Sequence, residues 1–293
     1  MKTLLLTIAC FLFAIVATNA QPFNVEVQPK DNPTLLGKIN KEALSEPHYA
    51  TWFTKNYDAY TPNASIIEEL KPLLAAYTIT AFLGTWCGDS KAEVPKFYKV
   101  LEASNFPLER LTTVALSRDR DTYKQSPGGE EEGLGIHRVP TFIVYKNGKE
   151  VNRIVEHPIA SVEADMLQLL KGSYTPNYES VLLVHSALGS MDLKTFRRKS
   201  KKLLPKLRKV TKNMHELNTY THVLFFAEKR EKAIAVAELN AKLFPEEAGV
   251  YLNLGNKLAQ MNQTEEARNF FNKALIIEPE NTKAKAALEA IKG

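Results

Sequence analysis

The hydrophobic periodicity of this chain changes near residue 173, and no other feature constrains its fold as much. Between about 46 and 173, short apolar runs at 77–83, 111–116 and 141–145 alternate with stretches whose apolar residues recur at helical spacing. Runs of that length, rich in β-branched and aromatic residues, read as buried strands. Tyr49, Trp52, Phe53, Tyr57 and Tyr60 mark a helix ahead of them, and 66–75 reads as a second. Val94, Phe97, Tyr98 and Leu101 share one face of a helix running from Cys87 to about 103. Lys146-Asn147-Gly148-Lys149 is a hairpin turn, because Asn-Gly tolerates the positive φ angles of a two-residue loop. The turn pairs 141–145 with 151–155, and a helix at about 160–170 closes the unit. Strand, helix, strand, hairpin and helix make a coherent α/β order, and past 173 the chain reads as helix throughout.

The beginning of the chain has a different character. Residues 1–20 carry Lys2, an apolar run over 4–17, and small residues at Thr18 and Ala20 ahead of Gln21-Pro22. That is the pattern of a cleaved secretory signal peptide, and the run is shorter than the ~20 residues of a spanning helix. Cleavage would remove Cys10 and leave Cys87 as the single cysteine, so no internal disulfide can form. The mature chain is expected to be periplasmic or secreted, with no membrane span after cleavage. Residues 21–45, a mixture of Pro, Asn, Lys and Gly with scattered apolar positions, read as a linker. The expected domains are 46–173 for the α/β unit, 174–213 for a basic helical connector and 214–293 for the helical end.

The connector carries ten Lys or Arg and no acid between 194 and 212. An anionic surface is one reading; a secreted chain argues against nucleic acid. Leu203, Leu204, Leu207 and Val210 fit the alternative, one buried helix face with solvated charges. Beyond it, Pro245 and Pro279 stand 34 residues apart. Tyr251, Leu254, Gly255, Leu258, Ala267, Phe271 and Ala274 precede the second proline at the positions of a tetratricopeptide (TPR) repeat, which this stretch resembles. A looser copy holds Leu217, Tyr220, Leu224, Ala233 and Ala237, with Thr221 in place of the glycine. The resemblance implies repeats at 214–247 and 248–281 with a capping helix over 281–291. Residues 178–293, with Glu216-Leu217-Asn218-Thr219 at the repeat start, also resemble the TPR-bearing extension of secreted bacterial proteins. Asn218, His222, Phe225, Asn256 and Gln260 would face a groove, which would either hold a protein partner or pack on the first domain.

Gly84-Thr85-Trp86-Cys87-Gly88-Asp89-Ser90 lies where a buried strand meets a helix. A cysteine there receives unpaired backbone amides and the positive end of the helix dipole, which favour thiolate over thiol. Asp89 works against the thiolate by like charge. Val139-Pro140-Thr141 follows about fifty residues later, just before a strand. These features, with the Lys-Asn-Gly hairpin, resemble the thioredoxin family over about 60–172. The resemblance implies an α/β thioredoxin-like domain, here followed by an all-α TPR helical-repeat domain. It makes Cys87 the nucleophile, Pro140 a cis proline, and Trp86, Gly88, Asp89, Arg138 and Val139 the contact surface for a substrate. Arg138 either offsets Asp89 or is a solvent-exposed loop charge. Ser90 occupies the place of the family's resolving cysteine and could hydrogen-bond the thiolate. Ala81 occupies the place of the buried acid that serves that cysteine.

Other chemistries find no support in the sequence. The six histidines lack metal-ligand spacing, and Gly128-Gly129 precedes three glutamates that would repel phosphate. A peroxiredoxin-type Thr-x-x-Cys pattern is absent, since Gly84 stands at the threonine position. The sequence points to thiol–disulfide exchange through Cys87 with a disulfide- or thiol-bearing client protein or small thiol, and to no cofactor or metal. The alternative is a non-catalytic protein-binding module.

Overall fold

A computed structural model describes residues 23–28 and 32–291; the expected leader, 1–20, lies outside them. Six strands form one sheet: β1 (Val25–Val27), β2 (Thr34–Ile39), β3 (Thr78–Leu83), β4 (Leu111–Ala115), β5 (Thr141–Lys146) and β6 (Lys149–Val155). Their order is β1-β2-β4-β3-β5-β6, with β3 and β4 parallel and every other pair antiparallel. The helices of this domain are α1 (Lys41–Leu44), α2 (Pro47–Ala59), α3 (Ala64–Leu74), α4 (Gly88–Ala103) and α5 (Val162–Leu170).

Strand periodicity divides the core into two layers. Ile79, Ala81, Leu83, Phe142 and Val144 point to the face covered by α2 to α5, where Phe97 of α4 stacks on Phe142 at 4.0 Å. Phe82, Val114 and Ile143 point to the opposite face, which is covered by Ile136 and Val139 from the segment joining β4 to β5.

Residues 21–45, expected to be a linker, instead contribute β1, β2 and α1. Gly37, Lys38 and Ile39 pair with Ala115, Val114 and Thr113 of β4, and Leu35, Ile39 and Leu44 are buried. Pairing with β4 satisfies the backbone groups of that edge, which a linker would leave to water.

The rest of the chain is helical: α6 (Glu179–Gly189), α7 (Leu193–Lys199), a 3-10 turn (Ser200–Leu203), α8 (Leu204–Val210), α9 (His215–Phe226), α10 (Arg230–Leu243), α11 (Ala248–Gln260), α12 (Thr264–Ile277) and α13 (Thr282–Ala290). Helices α9–α10 and α11–α12 form successive pairs, an arrangement consistent with helical repeats. Close crossing explains Gly255, since a Cβ there would lie 2.5 Å from the Phe271 ring. The Asn281 side chain caps α13 by accepting from Ala284 N at 2.9 Å. In the basic stretch, Phe196 and Leu207 are buried while the cations face solvent. Arg197 pairs with Glu231 at 3.0 Å and Glu238 at 3.6 Å. Among the described residues no helix is long and apolar enough to cross a membrane.

The helical region meets the first domain along the β4–β5 segment. His185 of α6 donates through Nε2 to the Gly133 carbonyl at 2.9 Å, so Nδ1 accepts from Tyr220 Oη at 2.7 Å. Gly135, at φ 66°, permits this approach, because a Cβ there would fall 2.9 Å from the His185 ring. Gln125 Nε2 adds a bond to the Phe226 carbonyl at 2.9 Å.

Candidate functional site

Strand β3 ends at Leu83 and the chain turns through Gly84 to Trp86 before α4 begins. Cys87 N donates to the Gly84 carbonyl at 2.8 Å, which closes the turn. Cys87 is the N-cap of α4, with extended backbone, and its carbonyl accepts from Lys91 N at 3.0 Å. The sulfur therefore sits at the end of a sixteen-residue helix where backbone amides lack intrahelical partners. A buried strand runs into a helix through a three-residue turn, and this places the thiol at the mouth of the fold, half-buried.

The Val139–Pro140 peptide bond is cis. It brings the Val139 carbonyl oxygen 3.3 Å from Cys87 Sγ, across fifty-two residues of sequence. Asp89 Oδ2 lies 3.8 Å from the same sulfur. Trp86 packs beside it, with Nε1 donating to the Leu116 carbonyl at 2.9 Å. Gly84 makes room for the indole, since a Cβ there would come within 2.6 Å of the ring. Gly88 and Asp89 are exposed on the first turn of α4, open to an incoming molecule. Trp86, Cys87, Gly88 and Asp89 thus lie together at the start of α4, while Val139 and Pro140 are buried and only the Val139 carbonyl is placed against the sulfur.

Ser90 and Arg138 stand differently from their expected places. Ser90 is fully buried, and its hydroxyl accepts from Gly84 N at 3.1 Å. The hydroxyl that could have met the thiolate fastens the turn behind it, because the Gly84 amide would otherwise be buried without a partner. Ala81, on β3, is fully buried in the helix-covered layer. Arg138 is neither a free loop charge nor turned to the sulfur. Its Nη1 pairs with Glu156 Oε1 at 2.9 Å, Nη2 donates to Thr219 Oγ1 at 3.3 Å, and the guanidinium lies 5.0 Å from the Tyr178 ring centre.

Several residues of the site gave no signal in the sequence. Lys124, in the β4–β5 segment at φ 58°, is 4% exposed, and its Nζ donates to the His137 carbonyl at 2.5 Å. Burial, and then the nearby Arg138 charge, push its titration down to about 8, while Cys87, Glu156 and Asp89 partly offset this. A lysine in a polar run is ordinarily solvated, so no local pattern announces it. Tyr123 packs on Trp86 at 6.1 Å and on His222 of α9 at 5.3 Å. His137 is wholly buried and held neutral, its titration pushed down to about 3 by burial first; its Nδ1 donates to the Gly135 carbonyl at 3.1 Å.

Of the residues expected to face a groove, His222, Asn256 and Gln260 line one cavity. Asn218 instead accepts side-chain bonds from Asn240 and Asn253, and Phe225 is buried in the helical core. Phe225 turns inward because α9 packs on α10, α6 and α11, which leaves little of its circumference free.

The arrangement as a whole is a thiol at a helix N-terminus facing the carbonyl of the residue before a cis proline, which suits thiol–disulfide chemistry. No family model matches this chain. Thioredoxin-1 of Schizosaccharomyces pombe is 28% identical to it over 94 residues, 30% of this chain and 76% of that protein. The thioredoxin of Chlamydia muridarum is 34% identical over 83 residues, 28% of this chain and 72% of that protein. Through its N-terminal α/β domain, the chain belongs to the thioredoxin family.

Proposed function

We propose that the protein performs thiol–disulfide exchange as a monothiol. A thiol–disulfide redox role in general follows from its family; the single-cysteine mechanism is the further step. The observation that carries it is the geometry at Cys87. The sulfur stands at the start of α4 with the Val139 carbonyl 3.3 Å away, while Ser90 is committed to the Gly84 amide. Among the described residues there is no second thiol to displace a client, and the Ser90 hydroxyl is held elsewhere.

Cys87 thiolate attacks one sulfur of a client disulfide. A Cys87–client disulfide forms, the client S–S bond breaks, and its other sulfur leaves as thiolate. A second thiol, from a small thiol compound or a partner protein, then attacks the mixed disulfide at the client sulfur. Cys87 departs as thiolate and the client is joined to the new thiol, so atoms and electrons balance without any cofactor. Periplasmic or secreted placement is part of the proposal, supported by the leader-like residues 1–20 and by a single thiol remaining after cleavage. The helix pairs α9–α10 and α11–α12, offset by the 34-residue proline spacing, support a TPR reading of the helical region and a protein partner there.

The test is a nonreducing gel of cell-envelope extracts carrying the tagged protein. Adducts that vanish on reduction and in Cys87→Ala are expected. Purified protein whose Cys87 is inert to a small disulfide near neutral pH would sink the mechanism. A client that binds Cys87→Ala as well as the parent would favour the non-covalent binding module, which the cavity at His222 and Asn256 makes physically reasonable.

A further inference from the structure

The helical region holds a buried charge that the exchange chemistry does not use. Lys257 of α11 is 4% exposed, yet among the described residues no carboxylate forms an ion pair with it. Its Nζ donates to Asn253 Oδ1 at 2.6 Å and lies 5.9 Å from the Phe225 ring centre. Asn253 is itself held by donating to Asn218 Oδ1 at 2.9 Å and Thr221 Oγ1 at 3.1 Å. An ammonium has three protons to place, and burying one without a counter-charge is costly. Burial alone pushes the titration of Lys257 down to about 8.

A cavity of about 520 Å³ has Lys257 in its lining, with Arg120, His222, Asn253, Asn256 and Gln260 beside it and no acidic residue. Arg120 is fixed by donating to Gln260 Oε1 at 3.0 Å, which orients a second cation at the rim. His222, in the same lining, is held neutral. Burial first, then the charges of Lys257, Lys124 and Arg120, push its titration down to about 4. Two cations and side-chain amides in a lining without an acidic residue suit a carboxylate.

This cavity is joined to the reactive surface by rings in tilted and edge-to-face contact. Trp86, beside Cys87, meets Tyr123 at 6.1 Å, and Tyr123 meets His222 at 5.3 Å. At about 3.3 Å per residue, an extended peptide covers those two steps in three or four residues. We propose that the Lys257 cavity binds a carboxylate of the client segment whose disulfide is offered to Cys87, three or four residues from the reacting cysteine. This deepens the exchange reading and rests on it only for the link to Cys87.

Binding is measured first without covalent chemistry, by fluorescence anisotropy on full-length Cys87→Ala. The probes are a dye-labelled Ala-Ser-Gly-Ser-Gly-Asp peptide with free C-terminus and its amidated Asn counterpart. The acidic peptide is expected to bind at least ~10-fold tighter at low salt, with the preference lost in Lys257→Met, which keeps the packing of the stem. Because Lys257 is buried, exposed Asn256→Ala and Arg120→Gln are run beside it, each expected to cut the preference several-fold. Equal binding of the two peptides, or a preference unchanged in all three variants, overturns the carboxylate site.

The second arm uses the Cys87-bearing chain and peptide disulfides with Asp placed one, four or eight residues from cysteine. Mixed-disulfide formation is expected to be fastest at four, and a rate indifferent to position overturns the coupling of the two sites. If no peptide forms a mixed disulfide while the anisotropy preference stands, the exchange mechanism falls and the carboxylate site survives. Rapid mixed-disulfide formation with equal anisotropy gives the reverse.

Discussion

Replacing Lys124 by Met, in a Cys87→Ala background that cannot cross-link, is expected to stabilise the protein near neutral pH. The titration of Lys124 is lowered from 10.5 to about 8, chiefly by burial. At about 1.4 kcal/mol per unit, holding the ammonium inside opposes folding by roughly 3 kcal/mol wherever both folded and unfolded chains are protonated. That is the case below pH ~8. Above it, the folded chain sheds the proton while the unfolded chain keeps it until about pH 10.5, so stability rises with pH across that window. The ammonium returns part of its cost by donating to the His137 carbonyl, a bond worth about 1 kcal/mol. Methionine removes both terms and keeps the packing of the stem, for a net gain of about 2 kcal/mol. Urea unfolding near pH 7 and near pH 9 measures it, the upper value lying a unit below the ordinary tyrosine value of 10.0. The parent should gain stability between those values; the variant should start higher and gain less, with Lys257 supplying the remaining slope in the same window. A variant no more stable than the parent near neutral pH, with an unchanged pH slope, would refute the account of Lys124 as a buried cation.

Ser90→Ala should cost about 1–3 kcal/mol by stranding the buried Gly84 amide, yet leave Cys87 as reactive toward a small disulfide as before. Unchanged stability in denaturant, or a large fall in reaction rate, would contradict the placement of the hydroxyl. Gly84→Ala puts a methyl 2.6 Å from the Trp86 ring and should displace the indole from the Leu116 carbonyl. The expected cost is ~1–3 kcal/mol, read with the shift of the Trp86 indole N–H resonance. Arg138→Met breaks a partly shielded ion pair with Glu156 and should cost roughly 1–3 kcal/mol, whereas Thr219→Val removes only a 3.3 Å contact and should cost under ~1 kcal/mol. Equal losses in denaturant unfolding would mean that Glu156 is not the main anchor.

The strands β3, β4 and β5 and the helix α4 are legible in sequence because their burial is one-sided or continuous and local periodicity reports it. The Asn147-Gly148 turn is legible for the same local reason. Strand β2 is not, because Gly37 and Lys38 interrupt its apolar residues and its burial comes from pairing with β4, seventy-odd residues away. The polar segment between β4 and β5 misleads more strongly. Its residues look solvated, yet Lys124, Glu131 and His137 are buried. What buries part of it is the helical region, through His185, Tyr178 and Tyr220, and nothing in the local sequence records that docking. Phe225 teaches the same lesson in reverse, since a repeat pattern identifies helix faces but neighbouring helices decide which face stays open. Cys87, Trp86, Val139 and Pro140 were readable as a motif; the way Ser90 and Arg138 turn was not, because each answers to a partner fixed only by the fold.

The segment bearing Val139 is held from both regions of the molecule. Lys124 grips the His137 carbonyl, Thr141 Oγ1 donates to the Arg138 carbonyl at 2.8 Å, and the Arg138 side chain is divided between Glu156 and Thr219. Tyr178, at the entrance to α6, packs on the guanidinium and also donates to Glu156. The carbonyl 3.3 Å from the Cys87 sulfur is therefore positioned in part by α9 and by the residue that starts α6. Removing the helical region would free one hydrogen bond of Arg138 and strip Tyr178 from the guanidinium. It would also open the Lys124 pocket to water, relaxing its titration upward toward the ordinary lysine value. A thiol in the isolated α/β domain would face a fully hydrated ammonium and a looser Val139 segment, so its chemistry would be that of a different electrostatic site.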